Sequence, residues 1–339
     1  MISTRALWTL VRAGDLRARM RANRDGAAAI RLHLAGAAVG TGLLDALADG
    51  SATTAELARR MAVPGTAPLE AFLRVAAAAG LVAGGGDEPW RLAARGRAVV
   101  DDDLVRAAYE AFPGFHTAPY REIGPLLAGG PGRRDVAERG ALIARLSAGF
   151  EPFLLDRLTR AVTDRNPRRV LDVGVGAGLQ LAAMLQAAPQ AEGVGVDVDE
   201  GVVPLAEKTL AGRGLSDRAQ VLAADIRVGR PGPLGQPFDF ALLANVVYYL
   251  PMGDRVGLFR DIAAVLAPGG VLLVATMVAT PQLLSRHFDL LLRAQEGHME
   301  LSDVDTLLAQ LTEAGLRPER PRPLVPGAPV VTVVATRPG

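Results

Sequence analysis

The sequence predicts an α/β protein: a doubly wound, Rossmann-like sheet of seven strands, preceded by a smaller, mainly helical domain with a winged-helix pattern. Three observations carry that expectation. Residues 170–181, VLDVGVGAGLQL, read as strand, glycine turn and helix, the first unit of such a sheet. Strand and helix patterns then alternate to the end of the chain, as βαβ units require. The chain has 339 residues, half of them hydrophobic, which is too long for one typical core and rich enough to fill two. The expected divisions are a winged-helix-like domain at 1–100, a helical linker segment at 101–165, and a sheet domain at 166–339.

The elements follow in order. Residues 1 to about 25 are basic and irregularly patterned, and read as an arm that packs on a partner subunit or frays. Residues 27–50 are helical in pattern. Residues 51–54 offer caps for a second helix, TTAELARRM, and 66–79 is a third, closed by Gly80. Leu81-Val82 and Trp90-Arg91-Leu92 flank GGGDEP as a small hairpin. A DNA-reading helix needs Arg, Lys, Asn or Gln toward base edges. The third helix offers one arginine on a mostly small, apolar surface, which suits packing between subunits better. Residues 101–165 are helical, broken at Phe112-Pro113-Gly114 and at 129–133. They concentrate Phe112, Phe115, His116, Tyr120, Phe150 and Phe153 in a chain only 4% aromatic, either as core packing or as part of an acceptor pocket.

In the second half, Gly174, Gly176 and Gly178 form a turn in which backbone can approach a ligand closely. The helix after it offers free N–H groups to ligand oxygens. The third glycine comes one residue earlier than in the dinucleotide fingerprint, where position 179 holds Leu179. A short strand, 193–196, ends in Asp197, whose carboxylate can accept both hydroxyls of a ribose. A third strand, 220–226, carries Asp225 and Ile226 at its end. A fourth, 238–245, ends in Asn245 and runs into NVVYYLP. A helix at 251–266, a strand after Pro268-Gly269-Gly270, helices at 281–294 and 302–314, and a closing antiparallel pair, 316–322 with 329–335, complete the pattern.

Composition narrows the function. Lys+Arg 37 against Asp+Glu 36 gives no electrostatic reason to expect a nucleic-acid or membrane partner. The absence of cysteine removes disulfides, thiolate metal sites and a cysteine nucleophile. No His-x-His or His-x-x-x-His pair occurs, so no metal is expected. The amino terminus lacks a signal-peptide pattern, and no apolar run approaches the ~18 residues of a membrane span, so a soluble cytoplasmic protein is expected.

D-x-G-x-G-x-G from Asp172 to Gly178, with Asp197 and Asp225 following at strand ends, resembles class I S-adenosylmethionine-dependent methyltransferases. The run GLLDALADG…TTAELARRM…LEAFLRVAAAAGLV resembles the amino-terminal dimerisation domain of small-molecule O-methyltransferases. The resemblance spans residues 27–337 and is strongest over 170–278. It implies S-adenosylmethionine held by Asp172, the three glycines, Asp197, Asp225, Ile226 and Asn245. Asp225 would bond the adenine amine and Ile226 would pack on the ring. It further implies a homodimer and a small-molecule acceptor of secondary metabolism, methylated first of all on oxygen, with nitrogen or carbon as alternatives. In that family a histidine soon after the fourth strand is the base; here Tyr248 stands in its place and Tyr249 replaces the following acid. Tyrosine, with a pKa near ~10, is a poor base at neutral pH. Candidate catalytic residues are therefore His298, His287 and Tyr248, with Glu300 and His116 behind them, and His33 read as packing. Two other readings stand beside this one: a relative that keeps the cofactor for decarboxylase- or hydroxylase-like chemistry, and a winged-helix regulator that senses it.

Overall fold

A computed structural model describes residues 3, 8, 9, 12, 14–228 and 236–339. Most of the expected basic arm before residue 14 lies outside the described residues. The chain forms two compact units: the described residues up to Leu127 together with Asp135–Ala148, and Ala128–Arg134 together with Gly149–Gly339. Among the described residues no helix is long and apolar enough to cross a membrane.

In the first unit, α1 (Leu16–Gly40) begins earlier than the sequence pattern suggested, because Asp15 caps it by accepting from the Arg17 and Ala18 amides. A short α2 (Leu43–Ala46) follows a left-handed Gly42. Thr53 then caps α3 (Thr54–Arg60) through a reciprocal capping box with Glu56. Helix α4 (Thr66–Ala78) ends at the left-handed Gly80, and the hairpin β1 (Val82–Gly85) and β2 (Glu88–Leu92) pairs antiparallel. Leu34, Leu44, Leu57, Leu73 and Trp90 form one core. The indole of Trp90 donates to Thr54 Oγ1 at 3.0 Å, joining the hairpin to the cap of α3. Thr53→Ala is expected to cost about 1 kcal/mol of stability, read as a lowered midpoint in thermal denaturation. Helices α5 (Ala94–Asp101), α6 (Asp103–Ala111) and α7 (Gly140–Ser147) complete the unit. Between α6 and α7, the break expected at Phe112 is a single π-helical turn, Phe112–His116.

The second unit starts with α8 (Glu151–Arg165) and builds a sheet in the order β5, β4, β3, β6, β7, β10, β8, with β9 also on β10. Its strands are β3 (Arg169–Val173), β4 (Glu192–Asp197), β5 (Ala219–Ala223), β6 (Phe238–Ala244), β7 (Leu266–Met277), β8 (Arg317–Pro318), β9 (Arg322–Pro323) and β10 (Val330–Thr336). The first five are parallel; β10 runs antiparallel beside β7. The chirally crossed order, with β3 central and β4 and β6 on either side, creates a switch point at the carboxyl edge.

Both faces are covered, so the strands read as nearly continuous apolar runs. Leu171, Ala241, Leu243, Leu272 and Val274 face α11 (Arg255–Val265) and α13 (Val304–Glu313). Val170, Phe240, Leu242, Val271 and Leu273 face α8, α9 (Leu179–Ala187) and α10 (Val203–Gly212). Helix α12 (Leu283–Arg293) follows β7. Two details correct the sequence reading. The third strand stops at Ala223, so Asp225 lies beyond it. The segment expected as a full closing strand makes only the two-residue β8 and β9, and β10 takes β7 as its long partner. Pro318, Pro321 and Pro323 explain this, since proline has no N–H for a ladder and is confined to edges.

Candidate functional site

The carboxyl ends of β3, β4, β5 and β6 gather the residues singled out by sequence. Gly174, Gly176 and Gly178 adopt φ of +80°, +48° and +75°, a region L side chains avoid. The turn is fastened to β4: the Gly174 and Val175 amides donate to the Val196 carbonyl at 2.8 and 3.1 Å. A Cβ at Gly174 would lie 2.4 Å from Val246 Cγ2, whereas one at Gly176 would meet nothing within 4 Å. The middle of the turn therefore faces open space, the place where a ligand can touch backbone. Gly195 on β4 has a role the sequence concealed: a Cβ there would sit 2.5 Å from Val175 Cγ2, so only glycine lets the turn lie over the strand.

Asp197 links this turn to β4. Its Oδ2 accepts from the Gly176 amide at 3.0 Å and its Oδ1 from the Asp199 amide at 3.1 Å. A carboxylate has about four lone-pair sites, so both oxygens keep capacity for further donors. Beyond β4 and β5 a hollow of about 460 Å³ is lined by Val198, Glu200, Ala223, Ala224, Asp225 and Arg227. Asp225 is held by the Arg227 guanidinium at 2.6 Å and by the Arg227 amide at 2.9 Å. The guanidinium beside it keeps this carboxyl below the usual carboxylate range. Ile226 is buried and belongs to the core cluster on one face of the sheet.

Asp172 is buried on β3 behind the turn. Burial, and then the neighbouring Asp197 charge, push its carboxyl up to about 8, with the Leu181 amide pulling the other way. Its Oδ2 finds no hydrogen-bond partner among the described residues. Asn245 follows β6 with φ +58° and donates its amide to the Ala275 carbonyl at 2.8 Å.

The candidate catalytic residues differ in their surroundings. Tyr248 is buried, with Phe288 edge-on at 5.3 Å and Tyr249 at 4.6 Å between ring centroids. Burial, then the Tyr249 charge and the hydroxyl bond to Tyr249, hold the Tyr248 phenol well above its ordinary value. Tyr248 therefore keeps its proton at neutral pH, and burial pushes the Tyr249 phenol up as well. His287 is half-buried on α12, and burial lowers its pKa below the ordinary imidazole value. His298 is exposed, on a loop where it takes φ +57°. Glu300 is paired with Arg293 at 2.5 Å. His116 belongs to the first unit, buried beside Phe112 and Phe115, and His33 lies in α1. Among the described residues no group of three or more His, Asp or Glu is placed to hold a metal ion.

Residues 170–270, which contain the glycine turn, both acids and the tyrosine pair, match a family described as "Methyltransferase domain". The chain carries a methyltransferase domain of the S-adenosylmethionine-dependent kind. It is 27% identical over 259 residues to a 3-hydroxy-5-methyl-1-naphthoate 3-O-methyltransferase of Streptomyces sahachiroi, covering 71% of this chain and 72% of that one. It is 32% identical over 172 residues to an aclacinomycin 10-hydroxylase of Streptomyces purpurascens, covering 51% of this chain and 42% of that one. In fold it superposes on a solved mitomycin 7-O-methyltransferase with a TM-score of 0.79 at 23% identity, over 97% of this chain and 99% of that one. The α/β sheet with a helical amino-terminal region is thus the methyltransferase architecture the glycine motif implied.

Proposed function

We propose that this protein moves the methyl group of S-adenosylmethionine to a hydroxyl of a small aromatic natural product, as a homodimer in the cytoplasm. The observation that carries the reading is the joint between the glycine turn and Asp197, with the Asp225 hollow beside it, inside the methyltransferase domain. The ligand's carboxylate end would meet main-chain amides at the turn and the start of α9. Asp197 would take the ribose hydroxyls, and Asp225 with Ala224 and Val198 would frame the adenine. Ile226 would support that ring from the core. Asn245 would stand near the reacting end. The naphthoate relative supports an aromatic acceptor. The exposed Met20 and Ile30 of α1 support a partner subunit there. The DNA-reading alternative loses support because the one arginine of α4, Arg74, is paired with Glu70 at 2.6 Å.

The donor brings an already activated methyl group on sulfur. What remains for the chain is alignment in a dry site, which supplies up to ~7–11 kcal/mol of barrier lowering. A placed base adds typically ~10²–10⁴-fold. Tyr248 does not fill that place: its proton is held by burial and by Tyr249, so it orients rather than deprotonates. His287 on α12, whose pKa burial lowers, keeps a neutral imidazole near pH 7 and, with the exposed His298, remains a candidate base. Tyr248→Phe is therefore expected to slow methylation of a hydroxynaphthoate probe by less than about tenfold. A loss above a hundredfold, carried by an ionisation in the pH–rate profile, marks it as the base after all.

Calorimetry with S-adenosylhomocysteine and NAD tests the core of the reading. Micromolar binding of the first and none of the second is expected; the reverse ends it. The aclacinomycin hydroxylase relative and the missing histidine favour one further reading, a retained cofactor with hydroxylating chemistry. Product mass decides: one added CH₂ unit supports methyl transfer, one added oxygen supports the alternative. Asp225→Ala should weaken S-adenosylhomocysteine binding only about threefold to tenfold, because Arg227 already occupies much of the carboxylate.

A further inference from the structure

Arg255 opens α11 with its side chain wholly buried. The acids that act on it most, Glu300 and Asp289, are themselves paired with Arg293 at 2.5 and 3.0 Å. The guanidinium is satisfied by neutral groups instead. Nε and Nη2 donate to the Leu250 carbonyl at 3.1 and 3.0 Å, and Nη2 also to the Glu300 carbonyl at 2.6 Å. Nη1 donates to Ser302 Oγ at 2.6 Å and to Met252 Sδ at 3.3 Å. Every N–H of the planar fork therefore has an acceptor.

Those acceptors sit on two loops far apart in sequence. Leu250 and Met252 end the loop that leaves β6, residues 245–252, which carries Tyr248 and Tyr249. Glu300 and Ser302 end the loop after α12, residues 297–302, which carries His298 and packs Leu301 and Met299 on Tyr248. Each loop contains a non-glycine residue held at positive φ: Asn245 at +58° and His298 at +57°. Backbone in that region persists where the surroundings over-determine it, and such residues cluster at functional sites. A buried charge is a costly way to fill a core, since an apolar side chain of the same size usually stabilises as well. What the guanidinium adds is a rigid fork that fixes two strands of backbone at set distances.

We infer that Arg255 is a positioning residue: it locks the β6 exit loop to the 297–302 loop and so sets Tyr248 and His298 relative to the carboxyl edge of the sheet. That these loops serve an acceptor rests on the methyl-transfer reading; the lock itself does not. Asp289 Oδ1 reinforces the second loop by accepting from the Leu301 amide at 2.9 Å. The Gln310 amide reinforces the first by donating to the Met252 carbonyl at 3.2 Å.

The test compares wild type with Arg255→Met, Arg255→Lys and Ser302→Ala by hydrogen–deuterium exchange, alongside S-adenosylhomocysteine affinity. In both Arg255 variants, peptides over 245–253 and 297–303 are expected to lose protection together by about tenfold or more. Peptides over β3, α9 and β4 should stay protected, and S-adenosylhomocysteine affinity should change less than about threefold. Ser302→Ala, which removes one bond and no charge, should loosen 297–303 alone, and it decides the matter if the Arg255 variants do not fold. Unchanged exchange in either loop, or loss spread evenly over the sheet, overturns the inference. With 3-hydroxy-2-naphthoate as the probe acceptor, Arg255→Met should lower kcat about ten- to a hundredfold at constant S-adenosylmethionine KM. If wild type leaves that probe unmethylated while the exchange pattern holds, the acceptor reading fails and the lock stands.

Discussion

Asp197→Ala is expected to weaken S-adenosylhomocysteine binding about thirty- to a hundredfold, the largest loss among single changes at the cofactor edge. Two effects combine. The carboxylate accepts the Gly176 amide at 3.0 Å, so it shapes the turn before any ligand arrives. In the reading proposed above, its remaining lone pairs would take the ribose hydroxyls. Hydrogen bonds to a charged group contribute about 1.5–3 kcal/mol each, which spans roughly ten- to a hundred-and-fifty-fold. Asp197→Asn should fall between wild type and alanine, because an amide oxygen still accepts one bond while its NH₂ group opposes the Gly176 or Asp199 amide. Titration calorimetry on folded protein, checked by circular dichroism, measures both variants. A loss under about threefold for Asp197→Ala would mean the nucleoside lies elsewhere.

The features legible in the sequence are local ones. Glycine at 174, 176 and 178 is demanded by positive φ within a single turn, so the pattern shows in a few residues. Asp197 is legible because it ends a short apolar strand. Runs such as Phe240–Leu243 and 271–274 announce strands covered on both faces. What escaped depends on partners distant in the chain. Arg255 reads as an ordinary charge at a helix start, because its acceptors Glu300 and Ser302 lie 45 and 47 positions away. Gly195 looks like one more strand residue until Val175 is seen lying on it. Asp225 was placed at a strand end, but Arg227 next to it pulls the backbone into a short turn and takes up its oxygens. The first turns of the helix from Leu16 do not show in the sequence, where the helical pattern starts only at residue 27, because they bury little and leave no apolar stripe to read.

Asp172→Asn is expected to leave stability unchanged at pH 4 and raise it by at least about 2 kcal/mol at pH 8. Burial, with the Asp197 charge beside it, lifts the Asp172 carboxyl up to about 8 in the folded chain. In the unfolded chain the same group titrates near ~3.9. Between those two values the folded state holds a proton that the unfolded state has released. Stability therefore falls as pH rises through this window, and the whole of the contribution is gone above it. An amide of the same shape has no proton to lose, so the decline from this position disappears. Denaturant titrations at several pH values read the difference directly; parallel curves for wild type and variant would remove the raised carboxyl from the account. The same asymmetry reaches the ligand. In the reading proposed above, the donor's sulfonium and ammonium charges beside the turn would favour the carboxylate form, so S-adenosylmethionine binding near pH 7 should expel a proton from Asp172. Calorimetry in buffers of different ionisation enthalpy should then show release approaching one proton per site in wild type and close to none in Asp172→Asn. Equal release in both would place the titrating group elsewhere than Asp172.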